Sequence, residues 1–364
     1  MIKEKTSDYP EFYCDLFEKG SQAFATNVKT ELKLLEIDNL CLPLTVNDSE
    51  WENSYVVSPY AIIPYIEEEM KRHGFKFLKL FFSPILGFAK WLLKTCRVNR
   101  VVMVNNHLLS TNLYPDLSNE QVKKIHAYLL EKFSDHAIIF RSLNPYSEKG
   151  LMDSLRANNY HFMTNRSIYF YSHKESLTNG KIRRRIKKDG DLLQQDGIEV
   201  MAHEEFSIED ASEVKRLYDL LYLEKYSYQN PQFTEEFFKT AILRKTFTLI
   251  GIRFNGKLIG VIGYFKKNGV MTFPIVGYEI SFPQSLGLYR MLTFLMLEEA
   301  SKLDHIIHMS SGVGEFKRGR GGVQEIESMA IFLKHLSFYR RIPWNIFSFL
   351  LNTFGKKIAL RRKL

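Results

Sequence analysis

Between residues 277 and 322 the chain gathers, in one run, most of its side chains suited to chemistry. Tyr278 and Glu279 close an apolar stretch. Gln284, Ser285, Gly287, Leu288 and Tyr289 then open a long run with helical spacing, and Lys317, Arg318 and Arg320 stand among glycines at 312, 314, 319, 321 and 322. A strand, a short turn and a helix in that order form a seat for an anion, because the first N–H groups of a helix lack internal partners and its dipole favours negative charge. Cations on a glycine-rich loop can grip phosphate or carboxylate. The run therefore suits a phosphate-bearing cofactor. Plainer roles stand beside this one: Glu279 as the cap of a turn, Tyr278 and Tyr289 as packed aromatics, Gly287 as an ordinary helix start, and Lys317, Arg318 and Arg320 as a solvated basic loop.

The elements that must position these residues follow from periodicity. Strands are expected at Ile198–Met201, Thr246–Arg253, Lys257–Lys266 and Val270–Val276, the last three joined through Asn255-Gly256 and Asn268-Gly269. Asn-Gly between apolar runs is a strong hairpin signal, since both residues tolerate positive φ. Helices are expected from Ser207, over Phe233–Leu243 behind Thr234, and over Ser285–Lys302. His305–Met309 and Met329–Leu333 complete a mixed sheet.

The first half shows similar grammar. Val101–Val104 reads as a strand, Ser118-Asn-Glu-Gln121 as a capping box opening a helix, Ala137–Phe140 as a strand, Ser147–Asn158 as a helix and Tyr160–Tyr171 as extended chain. A polar linker with six cations between Lys181 and Lys188 separates the halves. The expected organisation is α/β with a mixed sheet: one domain over 1–177, a second over 178–340 and a basic amphipathic helix over 341–364.

The second half resembles the GNAT superfamily of acyltransferases, in the branch with the Fem-type peptidoglycan-building transferases and the cellulose-biosynthesis-associated acetyltransferase-like proteins. The resemblance rests on KIRRRIKKDGDLLQQDGIEV before the first strand, Gly277-Tyr278-Glu279, the Ser285-x-Gly287 helix start, and GVGEFKRGRGG at 312–322. It covers roughly Lys181–Ser337, and the first half follows the order of a degenerate second unit. The resemblance implies an N-acyltransferase with tandem GNAT-like domains. The donor it implies is a thioester, acyl-CoA or acetyl-CoA as co-substrate, with no metal. The acceptor is an amine on a lipid, saccharide or cell-envelope precursor. Glu279 is the implied general base. Tyr278, and Tyr289 one turn into the helix, are candidate acids for the leaving thiolate. Gln284, Ser285, Gly287, Leu288, Lys317 and Arg320 would hold the cofactor. Tyr289 stands where relatives carry a small residue. A Fem-type aminoacyl-tRNA-dependent transferase, favoured by the basic run, and a non-catalytic membrane-surface protein are the alternatives.

Composition sets the outer limits. With 364 residues, 45% hydrophobic and 25% charged, the chain is globular and long enough for two cores. The net charge of +9 favours anionic partners: phosphate, nucleic acid or an acidic membrane face. Cys14, Cys41 and Cys96 are far apart, so neither a disulfide framework nor a zinc site is expected. The start, MIKEKTSDYPEF, lacks the apolar core of a signal peptide, and Phe75–Leu93 is interrupted by Lys76, Lys79, Pro84 and Lys90. A cytoplasmic location is expected. The basic, apolar C-terminal segment and residues 75–93 add possible contact with the inner membrane face, the alternative for the C-terminal helix being docking on its own domain. P-loop, dinucleotide GxGxxG, HExxH and GxSxG patterns are missing from the sequence, which removes the corresponding enzyme classes.

Overall fold

The computed structural model describes residues 11–72, 76–176 and 178–361. Most of the N-terminal stretch read for a signal peptide, the first residue of 75–93 and the last three residues of the C-terminal segment lie outside the described residues.

The first half opens with α1 (Glu11–Lys19), a single turn α2 (Ser21–Phe24) and the hairpin β1 (Glu31–Ile37) and β2 (Leu40–Asn47). Then come α3 (Ile62–Arg72), α4 (Lys76–Thr95), β3 (Val101–Val104), α5 (Asn119–Lys132), β4 (Ala137–Leu143), α6 (Lys149–Ala157) and β5 (His161–Tyr171). The second half runs α7 (His173–Ser176), α8 (Gly180–Gly190), β6 (Ile198–Met201), α9 (Ala211–Asp219) with a π-helical continuation over Leu220–Tyr226, and α10 (Glu235–Arg244). It continues with β7 (Thr248–Phe254), β8 (Lys257–Lys267), β9 (Val270–Tyr278), α11 (Leu288–Lys302), β10 (Ile306–His308), α12 (Gly314–Arg318) and β11 (Val323–Phe332). α13 (Phe338–Leu350), a π-helical turn over Leu351–Gly355 and α14 (Lys356–Arg361) close the chain.

Local chemistry accounts for many of these boundaries. At the start of α5 the Ser118 hydroxyl accepts from the Gln121 N–H while the Gln121 side chain accepts from the Ser118 N–H, a complete capping box. Thr234 caps α10 through the Phe237 N–H. Asn255, Gly256, Asn268 and Gly269 all have positive φ, as two tight hairpins require.

The eleven strands of the described residues join one mixed sheet in the order β1-β2-β3-β4-β11-β5-β10-β9-β8-β7-β6. Each half contributes one parallel neighbour pair linked by a helix: β3 with β4 through α5, and β9 with β10 through α11. The centre is an exchange. β11, late in the chain, lies between β4 and β5, whereas β5, from the first half, lies between β11 and β10. The two halves therefore share strands across 178, and a cut there separates sequence but not the sheet.

Helices cover both faces of the sheet. Near the β3–β4 pair, α5 and α6 bury Val122, Ile125, Leu129, Leu151 and Leu155 on one face, and Tyr60, Leu93 and Trp344 pack on the other. Near β7–β9, α11 buries Met291, Leu292 and Leu295 on one face, and α9 and α10 bury Val214, Leu217, Phe237 and Phe238 on the other. Alternate residues along each strand serve the two layers, as Val261 and Ile262 do.

Candidate functional site

The site grows out of a mismatch in strand length. β9 pairs with β10 in parallel only at Val270–Thr272 against Ile306–His308. From there to Tyr278, β9 is hydrogen-bonded to β8 on its other edge, and among the described residues no strand covers the edge that β10 has left. β10 ends because the chain turns at Ser310 and Val313, both at positive φ. Unpaired backbone N–H and C=O groups along such an edge are strong hydrogen-bonding partners for a ligand lying in the gap. A small cavity behind the edge is lined by Pro274 of β9, Tyr218 and Tyr222, and by Tyr55 and Ser110 of the first half.

Aromatic rings line the wider end. Tyr289, in the first turn of α11, packs with its ring centroid 5.9 Å from that of Tyr278 and 4.8 Å from that of Phe316 on α12. Tyr222 and Tyr226, on the π-helical turn after α9, form a further pair at 6.4 Å. Burial, reinforced by the phenols of Tyr226, Tyr222 and Tyr278, raises the pKa of Tyr289 and keeps it protonated. Lys225, on the same turn, donates to the Tyr278 hydroxyl at 3.0 Å and stands over the Tyr278 ring. The phenol oxygen accepts that bond, so its O–H can be turned toward a different partner.

Glu279 follows at the lip. Its carboxylate pairs with Arg216 of α9 at 2.9 Å and accepts from the Ser281 N–H and hydroxyl at 3.2 and 2.8 Å. Burial pushes its pKa up, but the Ser281 bonds and the Arg216 guanidinium outweigh it and hold the carboxyl below its ordinary range. Glu279 is thus an oriented carboxylate of low basicity.

The structure reassigns several residues expected to hold a cofactor. Lys317 is 4% exposed and points inward, donating to the carbonyls of Met309, Ser310 and Ser311 at 2.6, 3.3 and 2.7 Å. It pins the turn that takes the chain away from β9, and so shapes the gap instead of gripping a phosphate. Burial, with Arg166 nearby, pulls its pKa down to about 7. Arg320 is also inward, paired with the buried Asp189 of α8 and stacked 3.4 Å from the Phe316 ring centroid. Asp189 accepts from Arg290 of α11 as well, at 2.7 Å, so one carboxylate ties α8, α11 and the loop after α12 together. Arg318 donates to the Tyr169 hydroxyl.

The glycines answer to packing. Gly287 has φ +77°, and a Cβ there would sit 2.6 Å from Leu192. Gly277 lets α9 approach β9: a Cβ would meet the Leu217 backbone at 2.5 Å. Gln284 and Ser285 are exposed on a short turn, and Leu288 is buried as the first residue of α11. That helix has no side-chain N-cap. The first N–H groups of such a helix start lack internal partners.

Residue patterns did not single out Lys225, Arg216, Tyr222 or Asp189 for this site. Asp189 carried a signal: it is an acid directly after six cations in eight residues. The others come from α9 and its π-helical turn, whose approach to β9 is a tertiary fact. Among the described residues no group of three or more His, Cys, Asp or Glu is placed to hold a metal.

No family model matches the sequence, and no curated protein matches it. Solved structures with similar folds do exist. The C-terminal domain of a putative lysylphosphatidylglycerol synthetase from Agrobacterium fabrum is 10% identical with a TM-score of 0.47, over 64% of this chain and 78% of that one. FemX is 8% identical with a TM-score of 0.47, over 62% and 79%. A conserved protein of unknown function from Bacteroides thetaiotaomicron is 11% identical with a TM-score of 0.49, over 91% of this chain and 99% of that one. The architecture itself is a mixed sheet with two strand–helix–strand units, each built on one parallel pair.

Proposed function

We propose that the chain is a transferase that moves an acyl group from a thioester, acyl-CoA in the first instance, to an amine of a lipid, saccharide or cell-envelope precursor. The observation that carries this reading is the uncovered edge of β9 beside the uncapped start of α11, with Tyr278, Tyr289 and Glu279 around it. An extended thioester arm fits the strand edge, and an anionic carrier fits the helix N-terminus.

In that arrangement the neutral amine attacks the thioester carbonyl. The C–N bond forms, the carbonyl oxygen takes up negative charge, and collapse breaks the C–S bond. Backbone N–H groups on the β9 edge face the developing oxyanion. The proton leaving the amine passes through water to Glu279, whose pairing with Arg216 fixes its direction at the cost of basicity. Tyr278, its oxygen already engaged by Lys225, gives its proton to the departing thiolate. Tyr289 narrows the slot. Gln284, Ser285 and the N–H groups of Leu288 and Tyr289 are the contacts proposed for the carrier, and Lys317 and Arg320 hold the surrounding chain in place.

A second donor, aminoacyl-tRNA, is favoured by one observation: all six cations of Lys181–Lys188 are exposed along α8. Thermal shift against acetyl-CoA, long-chain acyl-CoA and tRNA separates the two, because a ligand that binds only the native state raises Tm. A shift with either acyl-CoA supports the first donor, and a salt-sensitive shift with tRNA alone supports the second. With the donor in hand, Glu279→Gln is expected to lower turnover about tenfold or more with Tm little changed. No shift with any of the three, or unaltered turnover in the variant, would sink the respective assignment.

A further inference from the structure

Two helices on one face of the sheet carry apolar side chains that the fold leaves in water. α4 and α13 pack their inner sides into one core: Leu93 and Trp344 are buried there with Val101, Met103 and Ile139, and Leu86, Ala89, Phe347 and Leu351 pack against it. Their outer sides are different. On α4, Ile85, Phe88 and Trp91 are 54, 61 and 59% exposed. On α13 and the turn after it, Ile346, Phe349 and Phe354 are 45, 65 and 55% exposed. Spacing of three residues puts Ile85, Phe88 and Trp91 on one helix face and Ile346 and Phe349 on another, with Phe354 following on the π-helical turn; these are apolar stripes beyond the ones the core uses.

The charge pattern indicates what covers these stripes. Segments 76–95 and 336–361 contain lysines and arginines but not one Asp or Glu. Lys356 and Lys357 are exposed beyond the α13 stripe, and Arg341 lies over the Phe338 ring. Lys90 and Lys94, near the α4 stripe, draw on Glu67 and on the Trp51 and Tyr60 rings. Aromatic and aliphatic side chains on segments that carry cations and no acid of their own, with Glu67 of α3 as a neighbouring acid paired to Lys90, complement a surface that is apolar beneath and anionic on top. Among the described residues no helix is long and apolar enough to cross a membrane. The segments would lie in the interface, not span it.

α13 and the turn after it are also firmly seated. Asn352 bridges to β5 through the Thr164 N–H and the Phe162 carbonyl at 2.8 and 2.9 Å, and Arg340 reaches the Asp135 carboxylate and the carbonyls of Arg97 and Arg100. The C-terminal helix is thus docked on its own sheet and still presents an apolar outer side.

We infer that the outer faces of α4 and α13 form one docking surface for an anionic lipid bilayer. This rests on the two helices alone and stands whether or not the transferase reading does. The full chain is mixed with vesicles of phosphatidylcholine, with and without roughly one-third phosphatidylglycerol. It should sediment with the anionic vesicles, less so as salt rises, and its tryptophan emission should shift to the blue. Trp344 is buried and Trp51 half-buried, so Trp91 supplies the shift, and Trp91→Phe should abolish it while binding persists. A Phe88→Ser, Trp91→Ser, Phe349→Ser variant with native circular dichroism and Tm should bind about tenfold more weakly or less. The inference is overturned if the native chain ignores anionic vesicles, or if the folded triple variant binds as the parent does. It is equally overturned if the parent is a dimer that never sediments with vesicles and the triple variant is a monomer, since the occupant is then a second copy.

Discussion

The two strand–helix–strand units have the same topology and opposite treatment of the space they enclose. In the first, β3 pairs with β4 at Val101–Val104 against Ala137–Phe140, and β4 runs on to Leu143. The ground beyond is filled with polar groups that satisfy one another. Arg141 donates to the carbonyl of Val56 and the side chain of Asn106, Asn106 donates to Thr45 and Val56, and Tyr114 donates to the carbonyl of Arg141. All are buried. In the second unit β9 overruns β10, and half-exposed tyrosines stand where the first unit has its network. The helix starts differ in the same sense. α5 spends its first N–H groups on its own capping box, whereas α11 begins at a left-handed glycine without a side-chain cap. One unit is closed by self-satisfaction and the other is left with bonding capacity, which is the difference between a scaffold and a site.

The largest effect should come where the two units are joined. Glu327 of β11 is fully buried and holds Arg166 of β5 at 2.8 Å, with His308 of β10 at 3.8 Å. Glu327→Ala leaves a buried guanidinium without its carboxylate and should cost about 3–5 kcal/mol. Urea unfolding should report this loss. Glu279, at the lip, should lose no more than about 1 kcal/mol on the same replacement, as expected of a partly exposed pair. Equal losses would erase the distinction between a structural carboxylate and an available one.

Lys317 comes next. Lys317→Met strips three carbonyls of their donor and should cost about 2–3 kcal/mol. The dependence on pH has a definite sign. With the folded pKa lowered to about 7 and the ordinary value at 10.5, the unfolded chain binds a proton between those limits that the folded chain does not. Stability supplied by this group therefore rises as pH increases through that window and is flat below it. The gap in urea midpoint between parent and variant should widen from pH 7 toward pH 10. A gap that narrows would mean that the lysine stays charged inside.

These contrasts also mark how far the sequence was legible. The hairpins at Asn255-Gly256 and Asn268-Gly269, the caps at Ser118 and Thr234, and the long helix after Gly287 are local facts, and local chemistry reveals them. β11 was legible only in its apolar end. Its first half, Val323–Ser328, carries no apolar run, yet it pairs with β5 at the centre of the sheet, where Glu327 meets Arg166. The hairpin β1–β2 turns at Asp38, with φ +52°, and carries no Asn-Gly signal. The exchange of β5 and β11 lies beyond any window-based reading. The candidate site divides in the same way. The run 278–289 could be placed at a strand end and helix start, but Lys317 and Arg320 looked like surface cations. Their inward orientation depends on Asp189 and on three carbonyls, contributed by segments that periodicity cannot place beside them.

The smallest expected effect tests the helix starts directly. Ser118→Ala removes the α5 cap and should cost about 1 kcal/mol, because one N–H loses its acceptor at an exposed helix end. α11 has no cap of this kind to remove, so its N-terminus can gain only from a ligand. Inorganic pyrophosphate supplies the charge of a carrier without its thioester arm. It should raise Tm in the parent, and by the same increment in Ser118→Ala, since the proposed seat is at α11 and the α5 terminus lies in the other unit. If Ser118→Ala gains a larger increment than the parent, the freed α5 terminus has itself become an anion seat. Openness of the helix start, and not membership in the second unit, would then be what sets the two apart.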